Sequence, residues 1–449
     1  MCALPPAGPV AEPALPVVIG DIEQFLQRAL ADLEPDPVEA ARRGPGRPRV
    51  LPSLCLWGGL LVCVLRGFTS YLALWRLLSQ GQLWWYPRFP VSDQAIYKRL
   101  ATEGTAPLER LFAQLSAVLA DRLAPYALTS LAAFATEVVA LDETTLDPVA
   151  RLLPVLRALP RGAKALLPGK LTGLFDLRCQ QWRRLVHQPN PQQNEKVAAA
   201  AMVADLPRGT LVLADLGYFG FAWFDALTTQ GLWWISRLRA KTTYTVLHRY
   251  YEAGEVFDGL VWLGAYRADR AAHAVRLVRF PVGGTTYTYL TNVLDPHVLP
   301  LREIAVLYAR RWDIELAFKT VKRHLQLHLI WSAHTTAVLQ QVWAVLIIAQ
   351  ILQALQLEIA GRAGVDPFDV SLALLVQYLP QYAYTGQDPV AVFVTEGRAL
   401  GFIRPSRRTR VQAPTIPPDQ LAPLPPGLSL VRPARYAQRN CGSRKAPPH

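Results

Sequence analysis

The stretch GTLVLADLGYFGFAWFDALTTQGLWWISRLR, residues 209–239, decides the fold class. Residues 209–219 are a nearly continuous apolar run, which predicts a buried strand. Residues 219–231 predict a helix that stops at Gly231, and residues 232–239 predict a second strand. A strand, a helix and another strand in direct succession indicate an α/β sheet domain.

Acidic residues end two of the predicted strands. FATEVVALDETTL (134–146) predicts a strand that ends at Asp142, and the strand in 209–219 ends at Asp215. The other elements predicted from periodicity are two strands with a short turn in 170–189, a helix in 194–207, a β-rich insertion in 241–293, and helices in 300–327 and 337–361.

The two ends of the chain differ from its middle. Residues 1–49 and about 404–449 are rich in Pro, Ala and Arg, and we expect both to be flexible tails. Residues 16–34 are the exception and predict one amphipathic helix. Residues 51–129 predict helices throughout.

Charge and composition narrow the class of partner. The chain has 449 residues, 51% of them hydrophobic, which is a globular composition with room for more than one domain. Its formal net charge of +13 and pI of about 9.7 favour a polyanionic partner, with nucleic acid first. The alternative is a basic proteome or a ribosome-adjacent protein.

Cysteine usage and hydropathy indicate the compartment. The five cysteines are scattered and lack a CxxC pair, which argues against a disulfide framework or a zinc site and fits a reducing cytoplasm. Residues 51–66 are apolar but too short to span a bilayer, and 337–357 carry glutamines that suit a buried helix. The sequence starts without a signal-peptide pattern, so we expect a soluble cytoplasmic protein with no membrane.

Several basic residues are candidates for DNA contacts. Arg47 and Arg49 lie in a Gly-Arg-Pro-Arg segment that resembles the core of an AT-hook, although a plain basic linker is the alternative. Residues 91–104 predict a helix with Lys98 and Arg99 on one face, which suits either a recognition helix or an ordinary surface helix. Arg237 is a candidate contact or a salt-bridged sheet residue.

A third acid is expected to join the two at the strand ends. Asp142 and Asp215 are costly to bury alone, and with a downstream carboxylate they would form an oxygen-rich site for Mg²⁺ or Mn²⁺. Two such ions about 4 Å apart would support phosphoryl transfer. Glu315, on the helix predicted over 300–327, is the candidate for this carboxylate.

Helical geometry groups four residues of that helix. The four are Tyr308, Arg311, Glu315 and Lys322. At about 100° of rotation per residue, their side chains share an arc of about 60° around the helix, and Lys319 falls close to that arc. Cations on both sides of one acid suit a metal-bound phosphate, while a solvated charged face is the alternative.

These motifs resemble those of the DDE transposases of the insertion-sequence-four type. The spacing Tyr-x2-Arg-x3-Glu-x6-Lys stands here as Y308-ARR-WDIE-LAFKTVK, with LDETTL around Asp142 and LADLGYF around Asp215 upstream. The resemblance covers about residues 134–360. It implies a ribonuclease-H-like core with a β-insertion between its last strand and the helix bearing Glu315.

The resemblance also implies roles for the residues. The metal ligands and catalytic acids would be Asp142, Asp215 and Glu315, binding Mg²⁺ or Mn²⁺. DNA would be held by Tyr308, Arg311 and Lys322. Lys319, close to the same arc of the helix, is a further candidate DNA contact. Such enzymes cleave DNA at the inverted repeats of a transposon, pass through a hairpin, and join the ends to target DNA. Double-stranded DNA is therefore the expected partner, with a homodimer joining two ends.

The domain prediction follows from these elements. It comprises an N-terminal helix and basic linker (1–49), a helical DNA-binding domain (50–130), a ribonuclease-H-like catalytic domain (131–400) with the insertion at 241–293, and a Pro/Arg-rich tail (401–449). The alternative function is a catalytically silent, domesticated DNA-binding relative, which the intact acids disfavour. A different metal-dependent nuclease is disfavoured by the Tyr, Arg and Lys around Glu315.

Two features stay open at this stage. Glu143 follows Asp142 directly, where related enzymes often carry a small or polar residue, and it is either a surface residue or a perturbation of the site. A base that leaves the DNA stack during hairpin formation needs an aromatic ring. Trp233, Trp234 and Trp262 are available, although core packing is the alternative for each of them.

Overall fold

The computed structural model describes residues 19–32, 50–81, 83, 87–145, 170–188, 190, 193–264, 270–327, 331–332, 334–385, 387–406 and 411–432. Over these residues the chain is mixed α/β and divides into two compact units. The first unit comprises the described parts of Met1–Leu128, Glu143–Gln193 and Asp313–Arg410. The second comprises those of Thr129–Asp142, Asn194–Trp312 and Val411–His449.

The described helices, in chain order, are α1 (Ile19–Ala31), α2 (Ser53–Leu65), α3 (Tyr71–Gln80), α4 (Asp93–Thr102), α5 (Ala106–Leu123), α6 (Glu195–Val203), α7 (Phe221–Thr229), α8 (Leu301–Arg310), α9 (Trp312–Lys319), α10 (Thr335–Ala363), α11 (Leu372–Thr385) and α12 (Pro389–Thr395). The described strands are β1 (Val138–Thr145), β2 (Lys170–Asp176), β3 (Gln181–Gln188), β4 (Leu211–Ala214), β5 (Trp233–Arg237), β6 (Tyr244–Ala253), β7 (Val256–Leu263), β8 (Val275–Val282) and β9 (Thr285–Thr291).

The first unit is built around α10. Within the described residues, α10 is the one helix long and apolar enough to cross a membrane by length and composition, and it is almost entirely buried in the protein. Its glutamines are satisfied inside: Gln340 Nε2 donates to the carbonyls of Leu100 (2.9 Å) and Glu103 (2.7 Å), and Gln350 Oε1 accepts from Trp182 N (2.9 Å). The predicted buried helix is confirmed, and its amides bind the neighbouring elements together.

The second unit contains a mixed sheet with the strand order β1-β4-β5-β9-β8-β7-β6. Strands β1, β4 and β5 run parallel to one another. The remaining neighbours in this order, β5–β9, β9–β8, β8–β7 and β7–β6, pair antiparallel. The predicted β-rich insertion at 241–293 is confirmed as four strands. Its last strand, β9, pairs with β5, so the insertion extends the parallel strands as one continuous sheet.

The structure differs from the sequence prediction at the end of β1 and in the segment 411–432. Strand β1 continues to Thr145, three residues beyond Asp142, and its burial falls from Asp142 onwards. The segment 411–432 is not the flexible tail that we expected. Ala422 N donates to Tyr250 O of β6, and the Arg432 guanidinium lies over the Trp262 ring at 4.8 Å.

The single helix predicted over 300–327 is wrong. It is interrupted at Arg311, whose N–H donates to Tyr308 O (3.2 Å), and it continues after α9 as a π-turn at Thr320–His324. Wider and tighter turns change the angle per residue. The arc of about 60° assumed one regular helix, so it does not describe Lys322.

A buried ion pair fastens the insertion to the segment that precedes α8. Arg276 of β8 and Asp258 of β7 have side chains 0% and 1% exposed, and they form two hydrogen bonds, of 2.7 and 2.6 Å. The same guanidinium donates to Leu299 O (2.5 Å), just before α8 begins. The pair therefore links two strands to the start of the helix that carries Tyr308.

We expect Asp258→Ala to lower the free energy of unfolding by about 3–5 kcal/mol, because Arg276 would keep a buried charge without its carboxylate. Urea unfolding followed by circular dichroism measures this loss. The control is Glu252→Ala in the same insertion, whose partner Arg249 is 60% exposed. An exposed pair contributes less than about 1 kcal/mol. Equal losses in the two variants would contradict this role of the buried pair.

Candidate active site

Asp142 and Asp215 are placed side by side by two parallel strands. In the β1–β4 register Leu141 lies opposite Ala214, so the next residue on each strand is an aspartate. Adjacent strands lie about 4.8 Å apart. Both carboxylates are half-buried, and Asp215 Oδ1 accepts a hydrogen bond from Leu216 N (2.6 Å). The structure brings these two predicted acids together, while their catalytic role stays a prediction.

Arg311 places a positive charge close to Asp142. Its Nη1 lies 3.7 Å from Asp142 Oδ2, and its side chain is 5% exposed. The guanidinium also lies over the rings of Tyr308 (5.8 Å) and Trp312 (5.4 Å). The helix break at Arg311 is thus the point where the chain presents a buried cation to the first aspartate.

Tyr308 is a buried donor in the same unit. Burial, with smaller contributions from Asp215 and Tyr289, raises the pKa of Tyr308 to about 12 against the lowering effect of Arg311 and Arg237. Its ring packs on Tyr289 with centroids 5.0 Å apart. Among the described residues the Tyr308 hydroxyl has no hydrogen-bond partner. A neutral phenol held in this way is available to donate to an oxygen that enters the site.

Lys322 contacts β1 within the first unit. Its Nζ donates to Thr144 Oγ1, two residues beyond Asp142, and residues two apart point to the same face of a strand. On α9, Glu315 is half-buried and Lys319 is exposed. The placement of Glu315 as the third carboxylate stays a prediction from the sequence.

The donor chemistry of the two aspartates fits Mg²⁺. In the part of the chain that the structure describes, no group of three or more His, Cys, Asp or Glu side chains is close enough to hold a metal ion. However, Mg²⁺ commonly binds one or two carboxylates and takes its other ligands from water and substrate phosphates. Asp142 and Asp215 on neighbouring strands supply those two carboxylates.

Glu143 does not belong to this site. Its Oε1 accepts from Lys170 Nζ, and the two side chains are 8% and 10% exposed. Consecutive strand residues point to opposite faces, so Glu143 lies on the face opposite Asp142. Lys170 also donates to Gln193 O (3.2 Å). The residue that departed from the family pattern is therefore a buried structural partner of Lys170.

Arg239 is a basic residue that the sequence reasoning missed. Its Nη2 donates to Leu216 O (2.9 Å), and its guanidinium lies 5.1 Å from the centre of the Phe219 ring. It is thus fixed to the turn that follows Asp215. The signal was present in WISRLR, where Arg237 is the last residue of β5 and Arg239 follows two positions later. Both arginines are exposed.

The tryptophans separate into buried and accessible rings. Trp234 is 1% exposed and stacks on Phe224 at 4.1 Å, so it is a core residue. Trp262 lies under Arg432, and Trp233 packs edge-on against Phe134 at 6.4 Å. Trp312, next to the helix break at Arg311, is 48% exposed.

The DNA contacts predicted near the N-terminus have different outcomes. Arg99 is held inside the first unit: it donates to Glu103 Oε1 (2.6 Å), Ser53 Oγ (2.6 Å) and the Leu51 carbonyl. These bonds favour the structural alternative for Arg99. Lys98 is exposed on α4, whose N-cap residue Ser92 accepts a hydrogen bond from Ala95 N (3.2 Å). Arg47 and Arg49 lie outside the described residues.

Comparison with known families supports a DDE transposase. Residues 169–352 match the family model of the transposase DDE domain. The matched range contains Asp215 and Glu315, and it begins after Asp142. It covers less than half of the chain and does not distinguish among types of DDE transposase.

A curated relative points the same way. The chain is 25% identical over 153 residues to the Sinorhizobium fredii (strain NBRC 101917 / NGR234) protein named "Putative transposase y4zB". The aligned region spans 32% of this chain and 42% of the relative. A cryo-EM structure of a piggyBac transposase synaptic complex with hairpin DNA covers 88% of this chain and 84% of its own, at 9% identity and a TM-score of 0.38. That likeness is too weak to carry an argument about this chain.

We expect Tyr308→Phe to leave the free energy of unfolding within about 0.5 kcal/mol of the parent, or to raise it, because the buried hydroxyl has no partner to lose. The matched control is Tyr71→Phe, since the Tyr71 hydroxyl donates to Ala337 O (2.6 Å). That variant loses a buried hydrogen bond and should lose about 0.5–1.5 kcal/mol. Chemical unfolding of both measures the difference. A loss of more than about 1 kcal/mol in Tyr308→Phe would show that its hydroxyl is already paired.

Proposed function

We propose that this protein is a DNA transposase of the insertion-sequence-four type with a ribonuclease-H-like core. It would cut DNA at the terminal inverted repeats of its element and join the ends to target DNA. The observation that carries the proposal is the β1–β4 register, which sets Asp142 beside Asp215 with Arg311 close to the first of them. We propose Glu315, which lies within the range matched by the domain, as the third acid.

Asp142, Asp215 and Glu315 would hold Mg²⁺ or Mn²⁺. When bound, two such ions supply activation of an attacking oxygen and stabilisation of the leaving oxygen in phosphoryl transfer. The two aspartates hold their carboxylates at fixed neighbouring positions, so little reorganisation is needed when a metal and a phosphate arrive. Arg311, next to Asp142, limits the repulsion between the acids before that happens.

The residues around the acids would bind the scissile strand. Arg311 has the planar fork that pairs with two phosphate oxygens. Tyr308 stays a neutral donor because burial keeps its pKa near 12. Lys322 is steadied by Thr144, and the exposed Arg237, Arg239 and Lys319 add charge for the DNA backbone.

The order of steps is proposed from the family resemblance. Cleavage of one strand would free a 3′-hydroxyl, which attacks the other strand to form a hairpin that is later opened and joined to target DNA. Two ends must be held together, so the active complex would contain a homodimer on double-stranded DNA. The protein would act in the bacterial cytoplasm, at the nucleoid.

We expect Asp142→Asn and Asp215→Asn to lower the rate of strand cleavage by at least about a thousandfold, because each removes a charged ligand from the same edge. The assay uses a duplex carrying the terminal inverted repeat of the element, with Mg²⁺ or with EDTA. Nicked and hairpin products are separated on a denaturing gel. DNA binding, measured by gel shift, should be retained in both variants.

The matched control is Asp205→Asn, an exposed acid in the same unit that should cleave like the parent protein. The absence of nicks and hairpins in Mg²⁺ on the correct end sequence would refute the mechanism. Cleavage that survives Asp215→Asn would refute the site. A silent DNA-binding relative, by contrast, would show no cleavage in the parent protein and unchanged binding in every variant.

A further inference from the structure

Two cavities of the first unit meet at one tryptophan. A cavity of about 450 Å³ and another of about 480 Å³ are both lined by Trp331. The first continues along Arg66, Phe68 and Arg323, and the second along Tyr97 and Lys98. We call this surface the Trp331 groove and define it by six residues: Arg66, Phe68, Tyr97, Lys98, Arg323 and Trp331.

The groove gathers large apolar side chains that solvent can reach. Phe68 is 38% exposed, Tyr97 is 40% exposed, and Leu72, in the second cavity, is 47% exposed. Single exposed apolar residues are common on protein surfaces, whereas several together mark a surface that binds something.

The rings of the groove are fixed before any ligand arrives. Tyr71 packs edge-on against Trp331 (5.5 Å, 87°) and against Tyr97 (6.4 Å, 77°). Its own hydroxyl is bonded to Ala337 O of α10, and the Tyr97 hydroxyl lies 3.1 Å from Ser332 Oγ. A ligand that stacks on these rings therefore meets little cost in ordering them.

The charge of the lining is positive. Lys98 and Arg323 are exposed, while Arg66 is paired with Glu23. Asp93 is the acidic side chain of the lining. His324 adds no charge near neutral pH, because burial, Lys319 and Arg323 lower its pKa.

We propose that the Trp331 groove binds unpaired nucleotides of single-stranded DNA. Bases would stack on Tyr97 and Trp331, and the phosphates would pair with Lys98 and Arg323. Exposed rings interleaved with cations are the arrangement that holds single strands without sequence preference. Each cavity holds about one nucleotide and is too small for a duplex, and the cations oppose an apolar protein partner with no negative charge.

This binding has a use that rests on the proposed function. Strand cleavage and hairpin formation would leave nucleotides that have lost their partner strand, and the groove would keep them from pairing again. Arg323, which would hold their phosphates, directly follows Lys322, whose amine contacts Thr144 of β1.

The test measures binding of a fluorescein-labelled dT12 oligonucleotide by anisotropy, using the full chain in EDTA so that no strand is cut. We expect Tyr97→Ala to weaken binding about tenfold or more, and Tyr97→Phe, which keeps the ring, to bind like the parent. Lys98→Ala should reduce the slope of log affinity against log salt by about 0.7. The control is Arg28→Ala on α1, which removes the same charge from a residue that lines neither cavity.

Three outcomes would overturn the proposal. The first is parent-like binding by both Tyr97→Ala and Lys98→Ala, with thermal melts showing that both variants fold. The second is photocrosslinking of 4-thiothymidine in dT12 to peptides other than those of the groove. The third is a change in oligomeric state in Tyr97→Ala, by sedimentation without DNA, which would make the groove a protein contact.

The assay also separates this proposal from the function itself. Parent-like dT12 binding in the groove variants, together with Mg²⁺-dependent cleavage of the inverted repeat, would reject the groove and keep the transposase. Groove-dependent binding of dT12 without any cleavage of the inverted repeat would keep the groove and reject the transposase function.

Discussion

The parallel pairing of β1 with β4 is the constraint on which the site depends. It fixes Leu141 opposite Ala214. Each of these residues is followed by an aspartate, so the register holds the carboxylates of Asp142 and Asp215 near each other. A shift of one residue would separate the acids and turn every side chain of β1 to the opposite face, which would disrupt its core packing. Because Val138–Leu141 and Leu211–Ala214 are fully buried, the register that packs the core also sets the spacing of the acids.

The sequence predicted most of what periodicity can encode. The strands ending near Asp142 and at Asp215, the four-stranded insertion and the buried α10 all follow from runs of apolar residues. The break at Arg311 and the π-turn before Leu325 could not be predicted, because the local sequence continues to favour a regular helix. At both places the structure has a contact with a residue distant in sequence: Arg311 lies near Asp142, and Lys322 donates to Thr144.

Partners of single side chains were the least predictable part. Nothing in the local pattern indicates that Lys170 binds Glu143 or that Arg99 donates to Ser53, since these residues are 27 and 46 positions apart. The Arg99–Glu103 pair, by contrast, has the i,i+4 spacing of neighbours on one helix face. The same charges read from sequence alone would all look available to DNA. The structure divides them: some neutralise buried acids, while Lys98, Arg237 and Arg239 remain at the surface.

The segment 411–432 has a consequence for how the protein is made. It is synthesised after all the described strands. In the folded protein, Ala422 N donates to Tyr250 O on β6, the outermost strand, and Val431 forms a β-bridge with His273 beside β8. Until this segment leaves the ribosome, the outer strand of the sheet keeps unpaired backbone groups, which is a template for wrong pairing between nascent chains. A ribosome that stalls before Val411 would therefore release a chain prone to aggregate, even though every strand has been synthesised.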